Sequence, residues 1–253
     1  MIFKTEGIVL KGLDYGESHR IVHILTPDRG KVSVMAMGAK KTKSKFSANT
    51  QPLTLGSFVL YKKGTSLGRI NDGQINSSFP NIRNDLMLST FAMYMTDLTD
   101  RVTEELEPCY ELYDLLVTVL RMIESKFHDP EILVRIFEIK LFGLRGYRPS
   151  LDSCVYCSSV DDMYAYKFSV RQGGFVCKKC SSNDPFSLQM TPSVAKLMRV
   201  FQYIELNKIG QISVKKENRQ ELQGITQRFI EEHFGLQLKW FTIMSNIKTM
   251  YDS

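Results

Sequence analysis

Four of the five cysteines in this chain lie in two closely spaced pairs. Cys154 and Cys157 form the first C-x2-C pair, Cys177 and Cys180 form the second, and residues 158–176 separate them. This spacing is typical of a four-thiolate zinc site, in which each pair directs two sulfurs toward the same ion. We therefore predict that these four cysteines bind one Zn²⁺.

A zinc ion held by four thiolates has no open position for water or substrate, so the pattern predicts a structural ion rather than a catalytic one. The four histidines are scattered and form no H-E-x-x-H motif. Disulfide bonds need an oxidising compartment, but the N-terminal sequence has no apolar signal core, and no uncharged stretch approaches a membrane span. A cytoplasmic protein without membrane association is therefore expected. A thioredoxin-like redox pair and cysteines without a role are the alternatives.

A second group of residues that could form a binding site lies in GAKKTKSKFSANTQP, residues 38–52. Its cationic and aromatic members are Lys40, Lys41, Lys43, Lys45 and Phe46. The Ser, Thr and Asn residues among them indicate an exposed loop. Sites for single-stranded nucleic acid combine cations that follow the phosphates with rings on which bases stack, so the segment predicts such a site. The alternative is a solvated loop that protects a sheet edge from aggregation.

The charge of the first third of the chain supports a nucleic-acid partner. Residues 1–80 contain 12 Lys and Arg against 5 Asp and Glu, a net charge of +7, whereas the whole chain carries +6. Residues 81–253 therefore have a net charge of −1. Such an asymmetry indicates that the N-terminal part meets a polyanion. The further candidate DNA-binding residues are Arg20, Lys31 and Arg69, and Lys62 and Lys63 extend the same basic track.

The elements that must position these groups change type near Pro80. Before it, five short apolar or β-branched runs are bounded by Gly, Asp or Pro: TEGIVLKGLDYG, SHRIVHILTPDRG, KVSVMAMGAK, SFVLYKKG and LGRINDGQIN. Residues 28–30, Asp-Arg-Gly, predict a hairpin turn. Five strands without an intervening helix predict a small barrel, and an OB-type barrel is favoured over an SH3-like one.

After Pro80 the apolar residues recur at helical spacing. The predicted helices contain DLMLSTFAMYMTDLTDRV, ELYDLLVTVLRMIESKF, ILVRIFEIKLFGLRGY, SVAKLMRVFQYIEL and ENRQELQGITQRFIEEHF. An apolar tail around Trp240 follows the last of them. Short strands are expected at Tyr164–Phe168 and Phe175–Val176. We predict an α+β protein, in which an OB-type domain at 1–80 precedes a mainly α-helical domain at 81–253 with a zinc-binding insertion at about 150–182.

Enzyme motifs are not visible in the sequence. It contains no G-x-x-x-x-G-K-[ST] phosphate loop and no G-x-S-x-G nucleophile motif. Its tight acidic clusters are Glu104-Glu105 with Glu107, and Asp161-Asp162, which we interpret as a helix surface or exposed loop in each case. A hydrolytic nuclease that gathers carboxylates around two metal ions is the weaker alternative. We expect a protein that is not an enzyme.

The segment TEGIVLKGLDYGESHRIVHILTPDRGKVSVMAMGAKKTKSKF resembles the opening of the bacterial RecO family of DNA repair and recombination mediators. GYRPSLDSCVYC and FSVRQGGFVCKKC resemble that family's elements G-Y-x-P-x-L-x-x-C-x-x-C and F-S-x-x-x-G-G-x-x-C-x-x-C. The resemblance covers nearly the whole chain. It implies an N-terminal OB barrel followed by a helical domain with a zinc site.

The same resemblance implies a non-enzymatic function. A protein of this family is expected to bind single- and double-stranded DNA and to anneal complementary strands. It is also expected to act with RecR in loading RecA onto DNA coated by the single-stranded DNA-binding protein. It is also expected to contact the C-terminal tail of the single-stranded DNA-binding protein, and to be cytoplasmic and associated with the nucleoid. Because OB folds also bind RNA, an RNA-binding or ribosome-associated module is the alternative.

Overall fold

A computed structural model of the chain describes residues 1–160, 167–237 and 239–252. The chain forms two compact units, Met1–Ser125 with Thr242–Ser253, and Lys126–Phe241. No helix in the described ranges is long and apolar enough to cross a membrane.

The N-terminal strands form a closed five-stranded barrel. The strands are β1 (Ile2–Tyr15), β2 (His19–Thr26), β3 (Gly30–Ala36), β4 (Leu55–Tyr61) and β5 (Gly68–Ser77). Their order around the barrel is β1-β2-β3-β5-β4, and only the β3–β5 pair is parallel. The predicted OB-type barrel is confirmed, because five short strands close on themselves in this partly non-sequential order.

Alternation along the strands separates the barrel core from its surface. On β2, Val22 and Ile24 are fully buried in the barrel core, whereas Ile21, which directly precedes Val22, is half-buried. The β2–β3 hairpin turns at Gly30, which has a φ of 64°. A Cβ atom there would lie 1.9 Å from the Glu107 carbonyl oxygen, so only glycine fits this turn. The predicted Asp-Arg-Gly turn is therefore confirmed.

Three helices follow the barrel within the first unit: α1 (Pro80–Arg83), α2 (Leu86–Val102) and α3 (Tyr110–Glu124). The side chain of Asp85 accepts hydrogen bonds from the backbone N–H groups of Met87 and Leu88 and so begins α2. The Glu104-Glu105-Glu107 cluster lies beyond the end of α2 at Val102, so it is not a helix surface. The division at residue 80 into two independent domains stays a prediction.

The second unit is built on α4 (Pro130–Leu144), α5 (Pro192–Tyr203) and α6 (Lys216–Phe234). Asp129 caps α4 and Thr191 caps α5, and each is followed by a proline that favours the first turn of a helix. Inside this unit the buried Arg135 guanidinium lies 2.9 Å from Glu138 and donates to Thr226 at 2.8 Å. The apolar tail around Trp240 is itself a helix, α7 (Trp240–Asp252), and its residues from Thr242 onward belong to the first unit.

Between α4 and α5 lies a small sheet that carries the cysteines. Its strands are β6 (Lys167–Ser169), β7 (Gly174–Val176) and β8 (Leu188–Gln189), in the order β7-β6-β8. The predicted strand at Phe175–Val176 is confirmed. Of the predicted strand Tyr164–Phe168, only Lys167 and Phe168 lie within the described residues, and Asp161-Asp162 lie outside them.

Candidate metal centre and nucleic-acid surface

The four sulfurs of Cys154, Cys157, Cys177 and Cys180 converge on one point. All four Sγ atoms lie within 4.8 Å of one another, and those of Cys157 and Cys177 are 3.8 Å apart. Four thiolates at about 2.3 Å from one tetrahedral ion have sulfurs about 3.8 Å apart. The donor set and its spacing therefore fit a metal ion bound by four thiolates.

Backbone hydrogen bonds hold the two cysteine pairs in this arrangement. Ser158 donates to the Cys154 carbonyl at 2.8 Å and adopts a φ of 55°, so the first pair folds back as a tight knuckle. Val155 donates to the Phe175 carbonyl at 2.9 Å, which ties the first knuckle to β7. The second pair follows β7 directly and enters a short 3-10 helix, Lys178–Cys180.

The pKa values of these thiols indicate what a metal ion would do at this site. Burial raises the pKa of the Cys154 thiol, but the backbone N–H groups of Cys177, Tyr156 and Cys157 outweigh it and lower this pKa to about 6. The hydrogen bond with Cys157 and burial together raise the pKa of Cys180 to about 12. Four adjacent thiols cannot all ionise without a cation, and a divalent ion removes that repulsion.

The lysine-rich segment forms part of the β3–β4 loop, residues 37–54, and its aromatic residue turns inward. Phe46 is 8% exposed and packs with Val9, Val34 and Phe58 in the barrel core. The Thr50 hydroxyl donates to the Phe46 carbonyl at 2.8 Å and fixes the backbone there. We therefore assign Phe46 to the core instead of to a base-stacking surface.

Three of the predicted DNA-binding cations form ion pairs at the surface. Lys40 lies 3.0 Å and Arg20 3.3 Å from the carboxylate of Asp14, and Lys45 lies 3.2 Å from Asp72. The hydrogen bond from Lys40 is the main cause of the lowered pKa of Asp14. Solvent screens pairs this exposed, and they add little to stability, so the cations can exchange a carboxylate for a phosphate.

Two further basic residues of the predicted track, Lys31 and Lys62, form ion pairs with carboxylates inside the first unit. Lys31 donates to the Asp100 carbonyl at 2.6 Å and lies 3.4 Å from the Asp100 carboxylate. Lys62 lies 2.6 Å from Glu105, and its side chain is 6% exposed. Their ammonium groups connect the barrel to the end of α2, so we do not include them in the DNA-binding surface.

The most available cations of the loop are Lys41 and Lys43. Both are exposed, and neither forms an ion pair with any residue that the structure describes. With His19, Met37 and Lys45 they line a surface depression of about 480 Å³. Arg69 on β5 is also exposed and unpaired within the described ranges, whereas Lys63 lies in the β4–β5 turn. The loop therefore presents cations to solvent around a shallow concave site.

Sequence reasoning missed the carboxylates that neutralise the buried lysines. Asp100 accepts from His23 Nδ1 at 2.7 Å and from Lys31, and its side chain is 7% exposed. Burial raises the pKa of Asp100, but His23 and the neighbouring lysines outweigh it and hold this pKa below its usual value. These contacts join residues about 70 positions apart in sequence, so no local pattern could have revealed them.

Comparisons with known proteins agree with these features. The family model described as Recombination protein O N terminal matches residues 1–79, and Recombination protein O C terminal matches residues 83–240. The protein named DNA repair protein RecO from Bacillus pumilus is 40% identical over 250 residues, which cover 99% of this chain and 96% of the relative. The proteins of the same name from Halalkalibacterium halodurans and Bacillus subtilis are 39% and 38% identical over the same length, covering 97% and 96% of those relatives. This chain therefore belongs to the RecO family of DNA repair proteins.

Proposed function

We propose that this protein is a DNA repair and recombination mediator that acts by binding and carries out no bond chemistry. It binds single- and double-stranded DNA through the barrel and the β3–β4 loop. The observation that carries this proposal is the pair of exposed lysines, Lys41 and Lys43, which have no carboxylate partner among the described residues. They lie on a segment, residues 1–80, with a net charge of +7.

The physical basis is contact with the phosphate backbone. Lysines that replace counterions along a strand bind without reading its sequence, and the binding is reversible and salt-dependent. Lys40, Lys45 and Arg20 add to this surface when a phosphate takes the place of Asp14 or Asp72. Annealing brings two polyanions together, so a basic surface that screens both strands favours it.

Membership of the RecO family supports a more detailed proposal. The protein anneals complementary strands, acts with RecR to load RecA on DNA coated by the single-stranded DNA-binding protein, and contacts the C-terminal tail of that coating protein. It works in the cytoplasm at the nucleoid. Residues 1–80 act as the DNA-binding domain, and residues 81–253 form a helical domain with the metal-binding insertion at about 150–182.

The metal at the four cysteines is one structural Zn²⁺. Cys154, Cys157, Cys177 and Cys180 together fill a tetrahedral coordination sphere, which leaves no position for water or substrate. Zinc, which lacks redox chemistry, would hold the two knuckles together and contribute directly to folding of this module. The site supplies stability and takes no part in a reaction.

The central test compares the parent protein with Lys41→Ala/Lys43→Ala. Affinity is measured for a DNA strand, its duplex and an RNA strand of the same sequence, and annealing is followed with two complementary DNA strands. We expect binding to both DNA forms, annealing without strand cleavage, and weaker binding and annealing by the variant. Preference for RNA with no annealing would support the RNA-binding alternative, and cleavage that copurifies with the protein would support a nuclease.

A further inference from the structure

The outer surface of the barrel carries one continuous row of side chains, which we call the cross-barrel row. The strand register pairs Leu13 with Ile21, Ile21 with Met35, Met35 with Arg69, and Arg69 with Tyr61. Each strand contributes one residue, and directly paired residues point to the same face. The row crosses four inter-strand steps of about 4.8 Å and is therefore about 19 Å long.

The cross-barrel row is open to solvent, although most of its members are apolar. Leu13 is 43% and Tyr61 is 42% exposed, Arg69 is exposed, and Ile21 and Met35 are half-buried. At the end of the β1–β2 hairpin, Tyr15 is 53% exposed and pairs with His19. Exposed apolar side chains that share one face indicate an interaction surface.

Two residues further along β1, β2 and β3, the same barrel face is covered by other residues of the first unit. The exposure of the cross-barrel row is therefore not a general property of this face. Lys11, His23 and Ser33 are paired across β1, β2 and β3, two residues along each strand from the cross-barrel row. Asp100 contacts Lys11 and His23, and Glu105 accepts from Ser33 at 2.7 Å. The polar half of this face thus meets charged partners inside the unit, whereas Leu13, Tyr61 and Arg69 of the row are exposed.

The depression lined by the loop lysines adjoins the Tyr15 end of this surface, because Tyr15 pairs with His19. His19 and Met37 line that depression together with Lys41 and Lys43. His19 accepts a hydrogen bond from the Gly38 N–H at Nδ1, at 3.1 Å, which leaves its Nε2 as the possible donor. The loop lysines therefore lie next to the Tyr15 end of an apolar and aromatic surface.

We propose that the cross-barrel row with Tyr15 binds the bases of single-stranded DNA, with the rings of Tyr15 and Tyr61 as stacking faces. Lys41 and Lys43 then hold the phosphates of the same strand, and Arg69 offers a cation and a planar guanidinium within the row. This inference rests on the proposed DNA binding and adds the part of the surface that recognises an unpaired strand.

Two features favour a nucleic-acid strand over a protein as the occupant. The row adjoins exposed lysines, and it lies in a segment with a net charge of +7, so a polyanion is complementary to its surroundings. Strand faces and loops of OB barrels are the surfaces that bind oligonucleotides. Because the face of a base can stack on a side-chain ring only when that base is unpaired, this surface distinguishes single strands from duplexes, which the lysines alone do not.

The test is the variant Tyr15→Ala/Tyr61→Ala in the full-length chain. Its affinity for an oligonucleotide and for the matching duplex is compared with that of the parent at one salt concentration. Loss of a stacked ring is expected to weaken single-strand binding by about 5-fold or more for each tyrosine. Duplex affinity and the slope of log affinity against log salt should stay unchanged, because no phosphate contact is lost.

The matched control is Tyr110→Ala, since Tyr110 is 59% exposed at the start of α3 and lies outside the barrel. Unchanged single-strand affinity in Tyr15→Ala/Tyr61→Ala would overturn the inference and leave the row as a protein-binding surface. Equal losses for single strands and duplex would also overturn it. If the parent itself bound neither DNA form, the proposed function would fail instead, so the two failures are distinguishable.

Discussion

Asp100 illustrates how single residues connect the barrel to its helices. Its carboxylate lies 2.7 Å from His23, 3.4 Å from Lys31 and 4.0 Å from Lys11. Because these contacts lower its pKa below the usual 3.8, the stabilisation they provide is complete above that pH. It is lost as the pH falls through the lower pKa of the folded state.

We predict that Asp100→Asn lowers the free energy of unfolding by about 2 kcal/mol at neutral pH, because it leaves the half-buried Lys31 without its counter-charge. The loss of stability of the parent below about pH 4 should be shallower in the variant. Denaturant unfolding between pH 3 and pH 7 measures both. The control is Glu104→Gln, which removes an equal charge from an exposed position. Equal stabilities of Asp100→Asn and the control would show that the cluster contributes little.

Phe46 provides a second prediction at this scale. Replacing it by Ala should lower the free energy of unfolding by about 3 kcal/mol, because the ring fills the barrel core. DNA affinity, measured well below the melting temperature, should fall much less than in Lys41→Ala/Lys43→Ala. An unchanged melting temperature with weakened single-strand binding would restore the base-stacking role that the sequence suggests.

The individual residues differ in how far the sequence could predict them. The four cysteines were predictable because two short spacings bring their sulfurs together, and the short 3-10 helix and knuckle complete the geometry locally. The environments of Lys31 and Lys62 were not predictable, because their partners Asp100 and Glu105 come from α2 and from the segment that follows it. The inward orientation of Phe46 likewise depends on how a long loop closes over the barrel.

At the scale of elements, the strand and helix patterns predicted most of the fold. The period-2 runs became β1 to β5, and Pro130 and Pro192 begin α4 and α5. The tail around Trp240 was not predicted as a helix, although Phe241, Met244 and Ile247 of α7 recur at helical spacing and are buried. Tertiary burial of that face, rather than local propensity, accounts for the difference.

The metal-binding element yields a prediction of its own. Purified protein should contain about one zinc ion per chain, and Cys177→Ser should lose it, because a structural ion contributes to folding. Amide hydrogen exchange should then increase in residues 150–190, while DNA affinity measured with the folded protein stays near that of the parent. Cys109→Ser, outside the cluster, is the control. A metal-free parent, or a variant with intact exchange protection and lost DNA binding, would contradict the structural role.

At the scale of the whole molecule, the first unit extends well beyond the last barrel strand. Lys31 and Lys62 need Asp100 and Glu105, which lie after residue 80. A fragment of residues 1–80 should therefore be markedly less stable to heat than a fragment of residues 1–125. Thermal unfolding of the two fragments checks this prediction. Equal melting temperatures would favour the sequence-based boundary at residue 80.

The chain also separates its charges, with +7 in residues 1–80 and −1 in the remainder. From this separation we infer that exposed lysines of the β3–β4 loop bind the DNA backbone. Lys41 and Lys43 are the members without an internal partner among the described residues. Their removal should leave the fold intact, since both side chains are exposed.

The most direct test is the salt dependence of single-strand affinity for the parent and for Lys41→Ala/Lys43→Ala. We predict weaker binding by the variant, with an unchanged melting temperature. The slope of log affinity against log salt should flatten by about 0.7 for each lysine, or about 1.4 for the pair. Extending the change to Lys40 and Lys45 should bring the total to about 3. A variant with the affinity and the slope of the parent would show that these lysines do not bind the DNA backbone.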